Sequence, residues 1–230
     1  MIDQEEIHAQ CLSEDTYERI KALDILKTIF KLLPNKEQAW NDLIKLTNDQ
    51  DKLVRSKAFN AIDSLFLKLA DKQQAWNYLI KLISSERHSD RIQAANTIGS
   101  AFSQVSNKQT WNDLHKLIDE NSSVRSNFAY ALGSVFSDVP DKQQAWNDLH
   151  KLTIDEDRSV RLGTAHSLGY AFSHFPDKQQ AWNDLHKLTN DHDRDVRYNT
   201  VYALGYAFSH FPDKELAWND LHRLTNDEDS

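Results

Sequence analysis

Cysteine, glycine, proline and long apolar runs are all scarce in this chain, and each scarcity removes a class of explanation. Cys11 is the only cysteine among 230 residues, which excludes an internal disulfide framework and thiolate-cluster metal sites and fits a reducing cytoplasm. Five glycines and four prolines, with 27% charged residues, suit helices better than strands or disorder. Nowhere do eighteen apolar residues run together, and Met1 to Glu6 lacks a basic region followed by an apolar stretch. Neither a membrane span nor a secretory leader is therefore expected, and the reading is a cytoplasmic protein. The net charge of −8 disfavours a polyanionic partner, because nucleic-acid binding draws its affinity from Lys and Arg on phosphates.

What the chain does have is a ruler. Tryptophans stand at 40, 76, 111, 146, 182 and 218, separated by 36, 35, 35, 36 and 36 residues, each followed by asparagine. A fixed period of this size means one supersecondary unit repeated, since each unit needs its neighbours to bury its apolar face. One unit runs from Asp141 to Pro176. Asp141 is placed to cap a first helix whose Ala145, Trp146, Leu149 and Leu152 form one apolar face. A polar, acidic loop follows, and a second helix starts near Ser159. That helix buries Val160, Thr164, Leu168, Ala171, Phe172 and Phe175 before Pro176 stops it. The spacing predicts an all-α solenoid of stacked antiparallel helix pairs over 1–230. Its units are 1–34, a degenerate N-terminal cap, then 35–70, 71–106, 107–140, 141–176, 177–212 and an incomplete 213–230. Gly99, Gly133, Gly169 and Gly205 share one mid-helix position, where glycine costs about 1 kcal/mol against alanine, so close approach of a neighbouring backbone is expected.

The second helix opens on Val-Arg after an acidic loop at Val54-Arg55, Val124-Arg125, Val160-Arg161 and Val196-Arg197, with Arg19 and Arg91 retaining the arginine alone. In this it resembles the HEAT-like repeat family, whose second helix reads V-R-x-x-A-x-x-A-L-G. The resemblance covers nearly the whole chain and implies the fold. For function it implies little, because that family includes scaffolds, transport receptors, regulatory subunits and a few enzymes. No His-Glu dipeptide occurs, so the ligand motif of HEAT-like di-iron hydroxylases is missing, as are G-x-x-x-x-G-K-[ST] and G-x-S-x-G. No enzyme, metal or cofactor is expected.

Three ladders invite functional readings that packing answers better. His115, His150, His186 and His222 recur once per unit, but equivalent residues lie roughly 8–10 Å apart while a metal bond needs about 2 Å. Ile44 and Ile80 take the same position, which points to inter-repeat packing. Arg19, Arg55, Arg91, Arg125, Arg161 and Arg197 stand beside loop acids such as Asp49, Asp51, Asp119, Asp155, Asp157, Asp191 and Asp193, and pairing across units is expected. The tryptophans share their helix face with alanine and leucine and belong to the core.

The outward side of the second helix behaves differently. Positions two, six and ten after the valine are Ser56, Asn60 and Ser64 in one unit. Later they become Ser126, Tyr130 and Ser134, then Leu162, His166 and Tyr170, then Tyr198, Tyr202 and Tyr206. Tyr and His combine apolar area with a polar edge, as recognition surfaces do. The resemblance implies that second helices line the concave face. The expected function is a non-catalytic protein- or peptide-binding scaffold using Tyr130, His166, Tyr170, Tyr198, Tyr202 and Tyr206. A small-ligand or chromophore-handling, lyase-like protein is the alternative, with a DNA-repair glycosylase-like protein behind it. Thr225 to Ser230 repeats the acidic loop that elsewhere leads into a second helix. This suggests a fragment of a longer repeat protein, with end-to-end self-association through the incomplete last unit.

Overall fold

A computed structural model describes residues 3–69, 71–105, 107–211 and 213–225. Among them are thirteen α-helices and no strand. In chain order these are α1 (Gln4–Cys11), α2 (Thr16–Ile29), α3 (Lys36–Leu46), α4 (Lys52–Leu65), α5 (Lys72–Ile83), α6 (His88–Val105) and α7 (Lys108–His115). There follow α8 (Ser122–Val135), α9 (Lys142–Leu152), α10 (Arg158–Ala171), α11 (Lys178–Leu188), α12 (Arg194–Ala207) and α13 (Lys214–Thr225). No described helix is long and apolar enough to cross a membrane.

Short polar side chains start most of these helices. Asn35, Asp71, Asp141 and Asp177 each accept the backbone N–H three residues on, at 2.8–3.0 Å. Asp15, Asp51, Asp157 and Asp193 cap the second helices through the N–H two residues on. Each such cap is worth about 1 kcal/mol. The apolar stripes read from the sequence are buried: Ala145, Trp146, Leu149 and Leu152 on α9, and Val160, Thr164, Leu168 and Ala171 on α10.

The second helix ends earlier than Pro176 implies. The α-helix stops at Ala171, the chain tightens into a 3₁₀ turn over Phe172–His174, and Phe175 is already extended. Aromatic packing fixes this turn. Phe175 meets Phe136 edge-on at 4.6 Å and Trp146 at 4.9 Å, while Phe172 meets Phe211 at 4.8 Å. Starts differ by little: α10 begins at Arg158 rather than Ser159.

The residues fall into two compact units, Met1–Thr97 and Ile98–Ser230. In the first, α1 packs on α3 and α2 on α4; in the second, α10 lies between α8 and α12. Within the second unit, small residues let those helices approach closely. A Cβ on Gly133 would fall 2.5 Å from Ser167 Oγ, and one on Gly169 would overlap the Ala203 backbone. Ser167 also donates to the Ala129 carbonyl at 2.6 Å, tying α10 to α8.

Candidate functional site

The close packing of α8, α10 and α12 sets their outward positions side by side. Tyr170, Tyr198, Tyr202 and Tyr206 are each between 53% and 65% exposed. Tyr130 is half-buried, and His166 keeps an exposed edge between neighbouring rings. The His166 ring lies 5.2 Å from that of Tyr130 and stacks on Tyr170 at 6.2 Å with an 8° interplanar angle. On α12, Tyr198 and Tyr202 meet edge to face at 5.1 Å, and their hydroxyls hydrogen-bond at 2.7 Å. The structure thus joins Tyr130, His166 and Tyr170 in one ring contact series and Tyr198 and Tyr202 in another, with Tyr206 one turn further along α12.

Burial sets the protonation of this surface. Desolvation lowers the His166 pKa and raises that of Tyr130, so at neutral pH both are uncharged. The hydrogen bond shared with its neighbour Tyr198 raises the pKa of Tyr202 as well. None of the nine outward positions on the three helices, from Ser126 to Tyr206, is Asp, Glu, Lys or Arg. Among the described residues, no group of three or more His, Cys, Asp or Glu is arranged to hold a metal ion.

Gly163 is a contributor that the sequence reading passed over. A Cβ there would lie 2.9 Å from the Ser126 carbonyl oxygen and 3.1 Å from the Tyr130 ring, so its absence gives that ring its seat against α10. The signal was a mid-helix glycine out of register with the other four.

The ladders serve packing between repeats. Arg19 pairs with Asp49 at 2.7 Å, Arg125 with Asp155 at 2.8 Å and Arg161 with Asp191 at 2.7 Å. Arg19 and Arg161 also donate to loop carbonyls five and six residues upstream, and Arg125 to that of Glu120, five upstream. Arg55 pairs with Asp90, which takes the place of the helix-opening valine in α6 and so offers a carboxylate there. The histidines have partners that the sequence reading did not assign. Nδ1 of His115, His150 and His186 lies 2.5–2.7 Å from Asp148, Asp184 and Asp220, buried aspartates of the following first helix. His8 does the same with Asp42 at 2.7 Å. The tryptophans are core residues with one exception: Trp218 is 60% exposed, whereas the other five are at most 6% exposed.

No protein-family model matches the chain, and no curated protein matches it. Solved structures do. The archaeal HEAT-like repeats protein from Thermococcus onnurineus NA1 superposes with TM-score 0.51 at 15% identity, over 98% of this chain and 89% of that one. A chain of the Pds5–Scc1 complex gives 0.57 at 13% identity, over 96% of this chain and 39% of that one. A homology model of the full-length AP-3 complex in an intermediate open conformation gives 0.60 at 15% identity, over 92% and 38%. Helical hairpins at a 35–36-residue period, capped, packed and paired as above, are thus the HEAT-like α-solenoid fold.

Proposed function

We propose that this chain is a non-catalytic scaffold that holds a protein or peptide along the Tyr/His surface of α8, α10 and α12. The carrying observation is that Tyr170, Tyr198, Tyr202 and Tyr206 are all more than half exposed on adjacent helices. Grouped aromatic exposure of this kind marks interaction surfaces, and tyrosine supplies contact area with few rotamers to freeze. Tyr130 and His166 extend the surface onto α8 and α10. The reading places it in a single repeat array of seven units. Among proteins of similar fold, Pds5 is described in complex with Scc1.

The test starts from peptides selected on the purified chain from a random display library. Their affinity is measured by calorimetry on the natural chain and on the triple variant Tyr170→Ser, Tyr202→Ser, Tyr206→Ser. Binding should fall by at least about tenfold, as expected for central aromatic contacts, with the thermal melt unchanged. Retained binding would remove the surface from consideration.

A second part of the proposal is self-association, carried by Trp218 at 60% exposure and Leu216 at 51% on α13. On α12, a Cβ added to Gly205 would meet nothing within 4 Å.

A further inference from the structure

We propose that the partner segment is proline-rich and lies in the polyproline II conformation across α8, α10 and α12, with one proline contact per helix. This inference rests on the peptide-binding reading above and narrows it to one chemistry.

Charge complementarity comes first. The chain is 27% charged, yet none of the three outward positions on any of these helices is an acid, a lysine or an arginine. A charged side chain docked there would give up hydration and face no counter-ion. Residues 98–230 hold 20 Asp and Glu against 13 Lys and Arg, which also repels an acidic segment. The acids at the starts of α10 and α12 already have partners within the chain. Asp157 and Asp193 cap α10 and α12, and Asp195 pairs with Arg158 at 3.0 Å. A neutral, weakly hydrated ring is what remains complementary.

Spacing comes second. Tyr130, His166 and Tyr202 recur every 36 residues and form one row across the three helices, and Tyr170 and Tyr206 belong to a parallel row four residues further on. Packed helices stand roughly 8–10 Å apart. A polyproline II segment advances about 9.3 Å in its three-residue turn. Each third residue of such a segment therefore meets the next helix. The two rows, about 6 Å apart along the helix axes at 1.5 Å per residue, can hold a pyrrolidine ring between them.

Hydrogen bonding comes third. A polyproline II backbone makes no internal hydrogen bonds, so its carbonyls need donors. Among the described residues, the Tyr170 and Tyr206 hydroxyls and both His166 ring nitrogens have no hydrogen-bond partner, while their rings stand at the surface. The two hydroxyls and the one protonated nitrogen of the neutral His166 ring are placed to donate to such carbonyls. Both sides are preorganised: the peptide by its prolines, the surface by the close packing at Gly133 and Gly169.

The experiment is fluorescence anisotropy with three labelled twelve-residue peptides on the full chain: a Pro-Pro-Ser repeat, the same peptide with alanine for proline, and an alternating Lys-Arg peptide. The proline peptide should bind at least about tenfold tighter than the other two. Tyr170→Ser with Tyr206→Ser should remove that preference without changing the melt, and Tyr170→Phe with Tyr206→Phe should weaken it by removing the donors alone. Equal binding of the proline and alanine peptides, or indifference to the serine variants, overturns the proposal. Preference for the Lys-Arg peptide at these tyrosines also overturns it, while leaving the peptide-binding reading intact. If no library peptide depends on the tyrosines either, both readings fail together.

Discussion

A buried carboxylate destabilises a fold unless something offsets its lost hydration, and here the offset comes from the preceding repeat. The Asp184 side chain is wholly buried, and Nδ1 of His150 stands 2.6 Å from it. A carboxylate only accepts, so the imidazole proton sits on Nδ1. Burial raises the pKa of Asp42 and Asp148, and their histidines act against that shift. The chain contains its own control. Where His gives way to Ile44, the aspartate gives way to Tyr78, whose hydroxyl instead bonds Thr47 at 2.6 Å. At Ile80, by contrast, the aspartate stays as Asp113 and accepts from Gln109 at 2.7 Å, so Ile44 with Tyr78 is one natural replacement of the rung rather than a rule. Asp184→Ala removes a hydrogen bond whose His150 end is half exposed and can turn to water, and should cost about 0.5–1.5 kcal/mol. Copying the natural alternative, His150→Ile with Asp184→Tyr, should recover part of that loss. Urea midpoints across the double-mutant cycle measure the coupling; strict additivity would show the rung to be energetically idle. The sequence makes the histidine ladder visible, and the Ile replacements point it inward. The aspartate was harder to see because it lies 33–34 residues away, and only three-dimensional stacking makes that distance short.

At the scale of the element, the glycine register decides how closely second helices meet. Gly99, Gly133, Gly169 and Gly205 were all expected to mark close approach of a neighbouring backbone; Gly133 and Gly169 do, against Ser167 and Ala203, while a Cβ on Gly99 would crowd the Ser134 side chain. Gly205 holds the same register position but meets nothing within 4 Å. One substitution should therefore have opposite signs at two sites. Gly169→Ala pushes α12 off α10 and should destabilise by about 1–3 kcal/mol, the usual cost of overpacking. Gly205→Ala gains helix propensity with no clash and should stabilise by up to about 1 kcal/mol. Thermal melts of the two variants suffice, and a shift in the same direction for both would contradict the packing account. Helix type, caps and buried stripes were legible because 3.6-residue periodicity and capping chemistry are local. The 3₁₀ ending at Phe172–His174 was not, because it depends on Phe136, Trp146 and Phe211, contacts that bring together distant parts of the chain. The outward tyrosines were readable as a pattern, but the ring contacts among Tyr130, His166 and Tyr170 and the role of Gly163 needed the packed helices.

At the scale of the whole molecule, residues 203–227 repeat residues 167–191 at 21 of 25 positions, so α12 and α13 present outward nearly the surface that α10 and α11 present to them. That surface is an interior interface in composition, yet it exposes Trp218 and Leu216. Elsewhere α2 exposes Tyr17 at 72% and lines a shallow groove with Ile20, Ile25 and Ile29. A contact between α12–α13 of one copy and α2 of another joins two different surfaces, and a contact of that kind need not close on itself. Sedimentation equilibrium should therefore show an average mass that rises with concentration and does not level off at a dimer. Trp218→Glu should abolish association by damaging one surface, and Tyr17→Glu by damaging the other. Each variant alone should stay monomeric, but the two mixed should form a dimer and stop there, because each retains the surface the other has lost. A natural chain that is monomeric at every concentration would refute self-association outright. A mass that levels off at a dimer, or variants that fail to complement, would instead place the contact between identical surfaces and remove α2 from it.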